Sequence, residues 1–120
     1  MAGDIDRVQA AVSLLYRRVL DDPLLAPHFA GVDMVRLARH QRAFLAAAVG
    51  GERGYLGRDL RRAHSGLGLT HRDVDAMIAH VLRALSDVGV SASGLMAAAE
   101  RLNAVRDLIV EIDDSEGRQK

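Results

Sequence analysis

Gln41 and His40 occupy the middle of a stripe that otherwise asks for leucine. Met34, Leu37, Phe44 and Ala48 recur at three- and four-residue intervals, as on the buried face of a helix. A leucine there would contribute about 2 kcal/mol of burial, so polar groups at this place point to something polar in the core. Tyr16, one position past Leu15 of an earlier apolar stripe, offers a second donor. Buried polar groups cost free energy unless paired. A Tyr16–Gln41 pair facing a cavity would hold a polar ligand, and a direct hydrogen bond between the two is the plain alternative. His64, in "RRAHSGLGL", lies between Leu60 and Leu67 on a short segment able to aim an imidazole into a pocket. Neutral imidazole is the usual axial ligand of haem iron; by local context alone, an ordinary helix-end histidine is the weightier reading. His71 in an opening helical turn, His80 on the polar side of its stripe and His28 beside Pro27 all read as peripheral.

The elements that must position these residues are helical throughout. Ile5, Val8, Val12, Leu15 and Val19 make the first stripe, and the two prolines of "DDPLLAPHFAG" end it. Asp33 is placed to cap the second helix, which the glycines of "GGERGYLG" terminate. A short helix is expected around residues 59–65. Thr70 with Asp73 forms a capping-box pattern ahead of a helix whose inner face is Val74, Met77, Ile78, Val81, Leu82 and Leu85. "GVSASG" is the next turn. Leu95, Ala99, Leu102, Val105 or Arg106, Ile109 and Ile112 mark the last helix. The reading is an all-α domain over residues 1–112, with residues 113–120 a polar tail expected to be disordered.

Composition narrows the function. The 120 residues allow one domain. Sixteen basic residues balance sixteen acidic ones, so no net field favours nucleic acid or an anionic membrane. No apolar run approaches the ~18 residues of a membrane span, and the acidic start "MAGDIDRVQA" is unlike a signal peptide. The expected location is cytoplasmic. Cysteine is absent, which removes disulfides, thiolate metal sites and cysteine nucleophiles. Phosphate-binding loops, HExxH and serine elbows are also missing, and Arg58, Arg61 and Arg62 read as a solvated basic face. Two tyrosines and two phenylalanines are the whole aromatic complement. So few large side chains leave the middle to alanine and tight packing, or to a planar cofactor.

The stretches "YRRVLDDPLLAPHFAGVDM", "HQRAFLAAAVGG", "YLGRDLRRAH" and "HVLRALSDVGV" follow one another, in order and at matching spacing, over about residues 12–90. On them the chain resembles the group I truncated haemoglobins of bacteria and protists. The resemblance implies a two-over-two helical sandwich around one non-covalently held haem b. It implies His64 as the proximal iron ligand, Tyr16 as the distal donor to bound gas and Gln41 as its partner. Phe29 matches the phenylalanine wedged against the porphyrin, and Leu37 the place where longer globins carry a distal histidine. His40 matches a position where some relatives supply a sixth ligand; outward pairing with a propionate or water is the alternative. Tyr55 matches a tyrosine near a propionate, and Gly50 and Gly51 a turn-shaping pair. Phe44, Leu60, Val74 and Met77 are the further apolar residues expected around the cofactor. Two departures stand out. The short first helix and glycine pair that usually precede the tyrosine helix have no counterpart here. Ala104 falls near the position where some relatives attach haem through a histidine, so covalent attachment is not expected.

The resemblance implies a haem protein binding dioxygen, NO and CO. It extends to nitric oxide dioxygenation with an external reductase, since no flavin or nicotinamide motif is present. A gas or redox sensor with exchangeable His40 ligation is the alternative, and a haem-free interaction domain a third. Neither nucleic acid nor membrane is an expected partner, and a monomer or weak dimer is the expected state.

Overall fold

The computed structural model describes residues 3–50 and 67–111. Four long helices carry the fold: α1 Asp4–Leu20, α2 Met34–Val49, α3 His71–Asp87 and α4 Ala92–Ile109, with a 3-10 turn, Ala26–Phe29, between α1 and α2. The short helix expected at 59–65 and the tail at 113–120 lie outside the described residues.

Local chemistry accounts for the boundaries. Asp33 caps α2 by accepting the Arg36 N–H at 3.2 Å. Thr70 Oγ1 accepts from Asp73 N while Asp73 Oδ2 accepts from Thr70 N, each at 3.0 Å, so the expected capping box opens α3. At its other end α3 closes in a paired turn. Val90 N–H donates to the Leu85 carbonyl and Gly89 N–H to that of Ser86, both at 3.0 Å. Gly89 has φ +92°, and a Cβ there would stand 2.7 Å from Arg7 Nη1, whose guanidinium donates to the Val88 carbonyl at 2.8 Å. Glycine meets both demands.

The helices form two layers, α1 with α2 over α3 with α4. Around this ring α1 packs on α2 and α3, and α4 packs on α2 and α3. Val8, Val12, Leu15, Val19, Leu45, Val81 and Leu85 are the fully buried centre. This is the expected all-α, two-over-two arrangement.

Two stripes differ from expectation. Ile5 is 54% exposed and takes no part in the core. The first turn of α1 runs past the core's edge, where Asp4 turns to Ser91 instead, accepting from its N–H at 2.9 Å and from its hydroxyl at 2.6 Å. In α4 the buried line is Gly94, Ala98, Leu102 and Val105, so Ala98 and not Ala99 faces inward, and Arg106 pairs with Asp75. Gly94 is buried under the Asp4 and Val90 side chains: a Cβ would collide with the Asp4 carboxylate and stand 2.9 Å from Val90 Cγ1. Ile112 lies outside the described residues, and the helix ends at Ile109. Beyond it Val110 turns extended, Glu111 N–H donates to the Leu69 carbonyl at 2.8 Å, and the Glu111 carboxylate accepts from Gly68 N–H at 2.7 Å. These bonds moor the start of α3 to the end of α4.

Candidate functional site

Tyr16 is carried on the inner face of α1, between Val12 and Val19, and is 8% exposed. It is therefore a core tyrosine. Burial pushes its phenol above the usual tyrosine value, so the hydroxyl keeps its proton and remains a donor at neutral pH. The hydroxyl has no hydrogen-bond partner among the described residues, and the direct Tyr16–Gln41 bond is not formed. The Phe29 ring meets Tyr16 edge to face, with centroids 5.9 Å apart and planes at 70°.

On α2 the stripe read from the sequence is present. Met34, Leu37 and Ala38 pack half-buried against the core, Gln41 follows half-buried, and Phe44, Leu45, Ala48 and Val49 are buried. His40 is exposed. On α3 Val74 is buried and Met77 half-buried against the core. His64, Tyr55 and Leu60 lie outside the described residues. The structure thus brings Tyr16 and Phe29 into contact and sets Leu37 and Gln41 on the core-facing side of the neighbouring helix.

Two histidines read as peripheral turn out to join elements. His80 Nε2 lies 2.8 Å from Asp22 Oδ2, tying α3 to the end of α1, and the Asp22 carboxyl is held below its ordinary value by that bond and by the Leu24 N–H. The other ring nitrogen of His80 is buried without a partner. A tautomer that donates from Nε2 leaves a bare lone pair there, cheaper than an unpaired N–H. His28 Nε2 lies 3.4 Å from Oδ2 of Asp73, a buried carboxylate at the start of α3. The seven-residue spacing of Asp73 and His80 was the available signal, since two helical turns return to one face.

A buried tyrosine whose hydroxyl has no partner among the described residues, an adjacent aromatic edge and a half-buried amide suit a planar cofactor carrying a small polar ligand. The donor set fits haem on that count. No described helix is long and apolar enough to cross a membrane.

Comparison with known proteins agrees. The family model for bacterial-like globins matches residues 2–111. The group 1 truncated haemoglobin GlbN of Nostoc commune is 37% identical over 108 residues, covering 90% of this chain and 92% of that protein. Among solved structures, THB4 of Chlamydomonas reinhardtii superposes with a TM-score of 0.77 at 36% identity, over 87% of this chain and 86% of that one. The ferric truncated haemoglobin of Tetrahymena pyriformis gives 0.76 at 30% identity, over 88% and 90%. The chain belongs to the bacterial-like globins, as a group 1 truncated haemoglobin, and that membership implies a haem cofactor and the binding of diatomic gases.

Proposed function

We propose that this protein holds one haem b without covalent attachment and binds dioxygen and related gases through a distal pair of donors, Tyr16 and Gln41. His64 is the proximal ligand in this reading. Phe29, Leu37, Phe44, Leu60, Val74 and Met77 form the apolar surround, and Tyr55 lies near a propionate. Haem, when bound, supplies an iron centre that takes one diatomic gas. The chain's own residues do the rest. Tyr16 presents a protonated hydroxyl from a largely buried side chain, where a hydrogen bond to a polarised ligand is worth more than in solvent. Gln41 adds an amide donor from the facing helix, and Phe29 limits the tilt of the Tyr16 ring.

The observation that carries the reading is the burial of Tyr16 on the inner face of α1 with the Phe29 ring set edge to face against it. It is tested by an absorption spectrum of the purified protein after haem addition, with and without carbon monoxide. His64→Ala abolishes stable haem retention, whereas His71→Ala and His80→Ala leave it intact. A normal histidine-ligated Soret band in His64→Ala would overturn the proximal assignment.

Nitric oxide dioxygenation in the cytoplasm is the activity we assign. Dioxygen and nitric oxide give nitrate, and each turnover draws one electron from an external reductase. The exposed position of His40 favours its outward reading over exchangeable ligation. A low-spin six-coordinate spectrum lost in His40→Leu would reverse that preference.

A further inference from the structure

The connector between α1 and α2 is held to α3 at two points, Asp22 and His28, by histidine–aspartate contacts of opposite polarity. At the first point the connector supplies the carboxylate and α3 the imidazole, Asp22 Oδ2 to His80 Nε2 at 2.8 Å. At the second the connector supplies the imidazole and α3 the carboxylate, His28 Nε2 to Asp73 Oδ2 at 3.4 Å. Asp73 and His80 are seven residues apart, so they share one face of α3 about 10 Å apart along its axis. Between the two contacts Leu25 is driven into the core at 2% exposure. The second Asp22 oxygen accepts the Leu24 N–H at 2.9 Å and stiffens the turn's first corner. His28 directly precedes Phe29, the ring set against Tyr16.

We propose that His80 and His28 are positioning residues: with Asp22 and Asp73 they clamp the connector onto α3, hold Phe29 against Tyr16, and so set how tightly the Tyr16 hydroxyl retains bound gas. The inference rests on the gas-binding reading above. The opposite polarity keeps each contact specific. Shifting the connector by one contact would set Asp22 against Asp73, or His28 against His80, so only the observed register pairs unlike groups. Apart from the clamp, the described connector meets α1 by its own backbone bonds and the core through Leu24, Leu25 and Phe29. Losing the His28–Asp73 contact loosens the connector next to Phe29, and losing Asp22–His80 loosens it where it leaves α1.

The test uses the haem-loaded protein. His80→Ala and His28→Ala are expected to speed oxygen release three- to tenfold, to broaden or shift the stretching band of bound carbon monoxide, and to weaken the nuclear Overhauser contacts between the Tyr16 and Phe29 rings. His80→Gln, which keeps an N–H at the position of Nε2, restores release to within twofold of the unmutated protein. Arg106→Ala breaks a different tie to α3, that with Asp75; it lowers the melting temperature but leaves the rate and the ring contacts unchanged. If the histidine variants melt earlier yet keep the unmutated release rate, or keep the ring contacts, the clamp is merely structural and the proposal falls. Failure of the gas-binding reading itself shows differently, as an unmutated protein that holds no dioxygen.

Discussion

Tyr16 concentrates what single residues contribute here. Its phenol is raised above its ordinary value near 10 by burial, so the folded state favours the neutral form. For a raised value the sign is fixed: no stability is lost below pH 10, and stability falls as pH climbs from there toward the folded value. A spectrophotometric titration at 295 nm should show one of the two tyrosines ionising late, together with unfolding, and Tyr16→Phe should remove that alkaline sensitivity. The same proton serves the distal site. A charge-assisted hydrogen bond contributes about 1.5–3 kcal/mol, so Tyr16→Phe should speed oxygen release by about one to two powers of ten. Because Gln41 shares the ligand, the Tyr16→Phe/Gln41→Leu double variant should lose less than the sum of the single losses. Stopped-flow release measurements on the three variants check this, and unchanged rates in both single variants would remove the pair from the mechanism.

Elements meet through their ends as much as through their faces. The Asp4 side chain at the start of α1 reaches the start of α4 beside Gly94, where it accepts both the N–H and the hydroxyl of Ser91, the cap of α4. Those two bonds hold the Asp4 carboxyl below its ordinary value near 3.8. A lowered value means the contribution is present above pH 3.8 and is lost as pH falls through the folded value. Asp4→Asn should therefore melt earlier than the unmutated protein at pH 7, and the gap should close on acidification below about pH 4. Gly94→Ala should be destabilised at every pH, because its Cβ enters the Asp4 carboxylate and Val90 alike. Thermal melts of the three proteins between pH 3 and 7 separate the electrostatic effect from the steric one.

At the scale of the whole molecule the core is made of small aliphatic side chains. Its fully buried members are three leucines and four valines alongside alanines, and only four aromatic residues exist in the chain. Such a domain is expected to gain much of its stability from the cofactor. Haem at a thousandfold excess over its dissociation constant stabilises by about 4 kcal/mol, which for a domain of this size is a rise of more than about 10 °C. Leu85→Ala, at a site with no exposed surface, should cost about 2–5 kcal/mol, a large share of a typical total of 5–15 kcal/mol. Circular-dichroism melts should therefore find Leu85→Ala largely unfolded without haem and cooperatively folded with it. Equal losses in both states would mean that the cofactor does not support the core.

Periodicity and punctuation, both local properties, determined much of this protein in advance. The stripe from Met34 through Ala48, the cap at Asp33 and the Thr70–Asp73 box follow from helical spacing and from hydrogen bonds spanning three residues, and they stand in the structure as read. Family membership was legible too, because several stretches kept their order and spacing. What depended on distant neighbours was not legible. Ile5 continues its stripe in sequence yet lies beyond the core's edge, and in α4 it is Ala98 and not Ala99 that is buried with Gly94 and Leu102. Tyr16 beside Leu15 could equally have faced water. The packing of α1 between α2 and α3 buried it, and the Ala26–Phe29 turn brought Phe29 to its edge. His28 and His80 looked peripheral because an imidazole on the polar side of a stripe carries no sign of its partner. Asp73 and Asp22, 45 and 58 residues away along the chain, become neighbours only when the connector folds onto α3, since a side-chain contact at such separation is set by tertiary packing and by nothing in the local chain.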